Sequence, residues 1–186
     1  MGEAARTLPL SFAAYLEMEA QSPVRHELLE GIPYAMAGAS KAHNLLVQNL
    51  AFLLRPAARA RGCRLYVETV KLRLAEHTVY YPDLMVVCGA GTPHPLYEEN
   101  PCLVAEVVSP GTERLDRGEK RHNYLRLAAL EAYLLVSTRE PRVEVYRREG
   151  AGFCLEVHAG GRVPLPCLEA LLDLEALYEG VEPERA

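Results

Sequence analysis

Apolar residues recur along the chain at two spacings, and the segments they mark alternate between helix and strand. Phe12, Tyr15, Leu16 and Met18 in FAAYLEMEA face one side of a short helix, and Ser11 stands at its cap position. RHELLEGIPYAMAG predicts two short strands around Glu30-Gly31. SKAHNLLVQNLAFLLRPAARARG is too long for a strand and begins at a cap residue, Ser40. It is apolar on most sides as far as Leu54, which predicts a largely buried helix ended or kinked at Pro56. Alternation in CRLYVETVKLRL, led by Tyr66, Val70, Leu72 and Leu74, predicts one strand. VYYPDLMVVC predicts the next, GAGTPHPLYEENP a loop, and CLVAEVV a continuous apolar strand interrupted by Glu106. SPGTERLDRGEKRHNYLRLAAL turns at Ser109-Pro110-Gly111 and enters a helix capped near Thr112. AYLLVST and RVEVYRREG pair about REP, and GFCLEVHAGG adds a third strand. LPCLEALLDLEALYEG is an apolar helix or turn that closes one side of the core, and VEPERA frays.

The alternation places the chain in the mixed α/β class, with a mixed central sheet flanked by helices. Its 186 residues suit one domain, 1–186, with a helical extension over 1–24 and an apolar segment and tail over 167–186. The composition, 49% hydrophobic and 24% charged, is that of a soluble globular protein. No apolar run reaches membrane-spanning length and no signal peptide opens the chain, so a cytoplasmic protein without a membrane partner is expected. The five cysteines, Cys63, Cys88, Cys102, Cys154 and Cys167, include no CxxC pair and read as reduced thiols. The histidines lack zinc-ligand spacing, and no P-loop, GxSxG or GxGxxG appears, so no organic cofactor is expected.

Two acids stand out. On predicted strands, Asp83 shares a face with Met85 and Val87, and Glu106 with Val104 and Val108. An isolated carboxylate buried there costs several kcal/mol, on the order known for buried ions, unless it is neutralised or paired. A shared cation is one remedy, and hard oxygen ligands without a Cys-His cluster favour Mg²⁺ or Mn²⁺. The alternative is that each acid sits at a strand end and meets solvent or an arginine. Glu68 and Lys71, at odd separation on one predicted strand, point to opposite faces and read as structural.

PD at a strand start, followed by an acid inside the next apolar strand, resembles the restriction-endonuclease-like superfamily with its PD-(D/E)XK core. The stretch EVVSPGT…DRGEK…Y narrows the likeness to a widespread bacterial family of that core, and the resemblance covers roughly residues 25 to 150. The signature lysine position, two after Glu106, is Val108. The resemblance implies that the lysine comes from the following helix, as Lys120, with Asp116 one turn before it. Asp116, Lys120, Asn123 and Leu127 share one helix side, while Leu115, Gly118, Leu125 and Ala129 share the other, and either could pack on the sheet. An exposed Asp116–Lys120 pair is the plain alternative.

The family implies a metal-dependent endonuclease. Asp83, Glu106 and Lys120 would be catalytic, with Mg²⁺ or Mn²⁺ on Asp83, Glu106 and the Val107 carbonyl. Glu27 and His43 also match the family and are supporting candidates with Asp116. DNA is the expected substrate, although the formal charge of −5 leaves only local basic faces to contact it. Arg114, Arg117, Lys120, Arg121 and Arg126 form one such group, and Arg55, Arg59, Arg61 and Arg64 a second. The rival expectations are a binding module that keeps the fold without turnover, and an assembly protein whose apolar C-terminal segment forms a homodimer.

Overall fold

The computed structural model describes residues 8–184. In chain order the elements are α1 (Phe12–Gln21), β1 (His26–Leu29), β2 (Ile32–Ala35), α2 (Lys41–Ala60), β3 (Arg64–Val67), β4 (Lys71–Ala75), β5 (Thr78–Tyr80) and β6 (Leu84–Val87). Then follow β7 (Tyr97–Glu98), β8 (Leu103–Val108), α3 (Glu113–Leu115), a π-helical turn (Asp116–Lys120) and α4 (Arg121–Tyr124). The chain closes with β9 (Ala132–Ser137), β10 (Val143–Glu149), β11 (Gly152–His158), β12 (Arg162–Leu165), a 3₁₀ turn (Pro166–Leu168), β13 (Ala170–Asp173) and α5 (Leu174–Leu177).

A six-stranded sheet, ordered β11-β10-β9-β8-β6-β3, is the centre of the molecule. It is mixed, because β8 and β9 run parallel while the other neighbours are antiparallel. The connection from β8 to β9 is the helical segment from α3 to α4, as a parallel crossover requires. One face packs against α2 through Leu46, Leu50 and Leu54, which meet Leu84, Leu103 and Leu134. The other face carries Met85, Val104, Val108 and Tyr133 against Tyr80 and Tyr124. Burial on both faces explains why β8 and β9 read as unbroken apolar runs. A smaller five-stranded sheet, β2-β1-β5-β4-β7, holds α1 through Phe12, Tyr15, Leu28 and Val79. Among the described residues, no helix is long and apolar enough to cross a membrane.

The expected caps are present. Ser11 Oγ accepts the Ala14 N–H and Ser40 Oγ accepts the His43 N–H. The β1–β2 turn has left-handed backbone at both Glu30 and Gly31, and a side chain at Gly31 would collide with Pro9.

Several elements depart from expectation. The single strand read over residues 63–74 is two strands, β3 and β4, in different sheets. The run over residues 79–88 is likewise β5 and β6, divided at Tyr81-Pro82-Asp83, so Asp83 stands in the bend before β6 and not within it. Apolar residues continue across each switch, because both sheets bury them. The helix α2 passes through Pro56 unbroken. The carbonyl that loses its partner to Pro56 is that of Phe52, a residue 80% exposed and so open to solvent. The α2 helix is therefore half exposed, not largely buried. Thr112 makes no side-chain cap at α3. The apolar C-terminal segment forms the 3₁₀ turn, β13, which pairs with β12, and α5, and Leu168, Leu172, Leu174 and Leu177 complete the core under α2. Cys63 and Cys88 are joined as a disulfide, contrary to the expectation of reduced thiols. The β3–β6 register, Arg64 opposite Val87, carries the two cysteines to facing positions.

Leu50 is fully buried where α2 crosses the sheet. Leu50→Ala is expected to cost about 2–5 kcal/mol of unfolding free energy. Urea denaturation should show a lower midpoint at unchanged slope.

Candidate metal and lysine site

Both strand breaks lie at one place. Val67 of β3 pairs with Leu84 of β6, and Leu84 pairs with Ala105 of β8. One residue further along each strand line, Glu68, Asp83 and Glu106 fall in a row across three neighbouring strands. The Glu68 N–H donates to the Asp83 carbonyl at 3.2 Å, which ties the two breaks together. Glu68 has φ +49°, an unfavourable left-handed backbone for a non-glycine residue. Pro82 has no N–H to offer a ladder and ends the approach to β6.

Asp83 is held by three contacts. Its Oδ2 accepts the Val107 N–H at 2.7 Å and lies 3.1 Å from His43 Nε2. Its own N–H reaches Glu106 Oε2 at 3.3 Å. Both side-chain contacts fall on Oδ2, so Oδ1 has no hydrogen-bond partner among the described residues. The Val108 carbonyl accepts from Thr138 on the β9 side. Backbone alternation turns the Val107 carbonyl to the opposite side, toward Asp83. His43 occupies the first turn of α2, and its buried Nδ1 has no partner among the described residues. Burial opposes a charge on His43, but the hydrogen bond and charge of Asp83, with Glu68 and Asp116 beyond, raise its pKa overall. His43, Glu68 and Asp83 each present one ligand atom, all within 4.8 Å of one another.

Next to this row lies a buried lysine. The Lys120 ammonium is 2.9 Å from Glu27 Oε1, 3.2 Å from Glu106 Oε1 and 3.6 Å from Asp116 Oδ1. The Tyr124 hydroxyl donates to the same Glu106 oxygen at 2.7 Å, and Glu27 also accepts the Tyr81 N–H at 3.1 Å. The π-helical turn spans Asp116 to Lys120 and turns both residues inward, which decides the helix side that sequence left open. Asn123, on the same side, donates to the Tyr80 hydroxyl.

Burial dominates the electrostatics. It pushes the Glu106 carboxyl well above its usual range, with Lys120 pulling it back and Asp83, Asp116 and Glu27 raising it further. Burial likewise raises Asp116 despite Lys120. On Lys120 the order reverses: burial lowers its pKa, but Glu106, Glu27 and Asp116 together hold it well above the ordinary value. Four carboxylates, those of Glu27, Asp83, Glu106 and Asp116, thus face one fixed cation and His43.

Sequence reasoning named every member of this cluster except Glu68 and Tyr124. Glu68 reads as structural on a strand that continues, yet it stands at the break. Tyr124 belongs to the EVVSPGT…DRGEK…Y stretch, and that spacing was the available signal for it. The basic groups divide differently from expectation. Arg117 is held by Glu113 and Glu144, Arg121 lies against Tyr146, and Lys120 is buried, so three of the five cations from Arg114 to Arg126 are paired within the fold. Arg61 pairs with Glu169. Arg55, Arg59 and Arg64 line an open groove of about 1250 Å³ between α2 and β3, which ends at Val67 beside Glu68.

Comparison with known proteins agrees with this architecture. The Uma2 family model, described as "Putative restriction endonuclease", matches residues 12–177. An uncharacterized protein of Synechocystis sp. is 30% identical over 92% of this chain and 93% of its own length. A second from the same organism is 34% identical over 78% of this chain and 85% of its own. A crystal structure described as a putative nuclease belonging to DUF820, from Anabaena variabilis, superposes with a TM-score of 0.75 at 18% identity. It covers 92% of this chain and 98% of that one, and at this identity the likeness establishes the fold.

Removing the ammonium leaves Glu27, Glu106 and Asp116 buried without a counter-charge. Lys120→Ala is expected to destabilise the fold by about 3–5 kcal/mol at pH 7. A carboxyl whose folded pKa lies above its unfolded value binds its proton more tightly when folded. Lowering the pH therefore relieves the penalty, and chemical denaturation should show a smaller deficit at pH 5 than at pH 7.

Proposed function

The chain belongs to this family of putative restriction endonucleases, and from that premise we propose that it is a metal-dependent endonuclease that hydrolyses DNA phosphodiester bonds. The observation that carries the reading is the buried Lys120 ammonium against Glu106, beside Asp83. It supplies from a helix the cation that Val108 cannot supply from the strand.

The donor set suits Mg²⁺ or Mn²⁺: carboxylate oxygens, a backbone carbonyl and one imidazole within reach, with no thiolate. Asp83 Oδ1, Glu106 Oε2 and the Val107 carbonyl would hold the ion, with Glu68 closing the set. When bound, such an ion lowers the pKa of its water and offsets charge on a phosphate oxygen. His43 fixes the Asp83 carboxylate through Oδ2, so Oδ1 stays turned to the site. The strained backbone at Glu68 brings its side chain to the same point. Tyr124 and Lys120 hold Glu106 Oε1 and orient the carboxylate. Lys120 stabilises charge that develops on the phosphate and its nucleophile, as a compact point cation. Arg55, Arg59 and Arg64 contact backbone phosphates along the groove that leads to Glu68, and this binding weakens as salt rises.

Plasmid nicking should require Mg²⁺ or Mn²⁺ and stop with EDTA. Asp83→Ala should abolish it, and should also remove Mn²⁺ binding measured by calorimetry, while Glu68→Gln weakens that binding. Wild-type protein that binds DNA with Mn²⁺ present but never cuts it would replace this reading with that of a binding module.

A second expectation concerns the cation. Lys120→Arg keeps the charge but offers a planar fork where a compact ammonium is needed. Cleavage should fall by roughly 10²-fold or more, as for loss of one electrostatic stabiliser. An unchanged rate in a folded variant would remove Lys120 from the chemistry.

A further inference from the structure

Away from the acids, four of the five cysteines gather at the opposite ends of the same strands. Cys63 precedes β3, Cys88 follows β6, Cys102 precedes β8 and Cys167 lies in the 3₁₀ turn. Four separate segments therefore bring one sulfur each to a single place. Cys63 and Cys88 form the disulfide. The free Cys102 sulfur lies 3.5 Å from Cys88 Sγ, which is van der Waals contact between a thiol and a disulfide. Cys102 and Cys167 are both buried and belong to the same core cluster. Cys63 is on the other side of the disulfide and lines the groove between α2 and β3. Cys63 is itself buried in the same core cluster as Cys102 and Cys167, so the sulfurs form one cluster behind the wall of that groove.

We propose that these cysteines form a thiol–disulfide exchange site in which the Cys63–Cys88 disulfide converts to Cys88–Cys102. The Cys102 thiolate attacks Cys88 Sγ. The new Sγ–Sγ bond forms as the bond to Cys63 breaks, and Cys63 leaves as a thiolate that takes up the proton Cys102 gave up. One disulfide is broken and one is made, so no outside oxidant or reductant is consumed. Cys167 prepares the attack. The neighbouring Cys167 thiol lowers the Cys102 pKa, against the opposing effect of burial. The freed Cys63 thiol lies in the wall of the groove, the side from which low-molecular-weight thiols and disulfides approach. Arg64 neighbours it in sequence and lines the same groove, so anionic reagents of that class are favoured.

The test is disulfide mapping by mass spectrometry on the full chain, oxidised with diamide and then acid-quenched and alkylated. Wild type should yield both Cys63–Cys88 and Cys88–Cys102 peptides. Cys63→Ser should lose the first and gain the second. Cys167→Ala should slow formation of the Cys88–Cys102 peptide in that background, since its thiolate is less favoured. Thermal melting of each variant separates misfolding from lost exchange. Wild type containing Cys63–Cys88 alone across pH 6–9, with Cys88 and Cys102 both alkylated in folded Cys63→Ser, would overturn the proposal. So would stoichiometric Zn²⁺ retained by the reduced protein, because the four sulfurs would then be ligands of a metal.

Discussion

One ammonium holds the centre of this molecule. Glu27 comes from the small sheet, Glu106 from the large sheet, and Asp116 from the crossover between β8 and β9. Three carboxylates from three elements repel one another when buried, and Lys120 between them makes their approach tolerable. The Lys120 interaction therefore couples the two sheets and the crossover to each other. It is also unevenly balanced, since one cation faces several acids. A hydrophobic replacement could pack as well, but it would leave no electrostatic asymmetry.

The π-helical turn is part of the same constraint. Its extra residue turns Asp116 and Lys120 inward together while Tyr133 donates to the Asp116 carbonyl. Such turns weaken regular helical bonding, and here the loss is offset by charge-assisted contacts on side chains. The left-handed backbone at Glu68 has a similar relation to Asp83: the turn that leaves β3 is irregular, and the irregularity delivers a carboxylate to the row.

The strands that end in acids at one side end in cysteines at the other. The antiparallel register of β3, β6 and β8 puts Glu68, Asp83 and Glu106 in line and, at the far ends, gathers Cys63, Cys88 and Cys102. Three strands of four to six residues thus define two chemically distinct ends joined by a rigid apolar middle. Over the middle lies α2, with His43 at its acidic end and Cys63 just past its other.

Local pattern determined a good part of this. Alternation, capping serines and the continuous apolar run of β8 specified the class, the α2 helix and the β9–β10–β11 meander, because these depend on spacing within one segment. Asp83, Glu106 and Lys120 were legible through resemblance to the motif, with Glu27, His43 and Asp116 beside them. Other features depended on which segments meet. Alternation alone could not show that β3 and β4 belong to different sheets, so Glu68 looked like one more strand residue. The helix side bearing Lys120 was undecided because both sides carry groups able to pack, and only the buried acids of β1 and β8 select it. The apolar C-terminal segment was legible as a cover for one side of the core, but not as a hairpin and a short helix under α2. The Cys63–Cys88 pair followed from a strand register that no spacing between the two residues encodes. Tertiary structure decided these points because each is a pairing free energy between distant segments, and a single segment's propensity carries only its own side of that interaction.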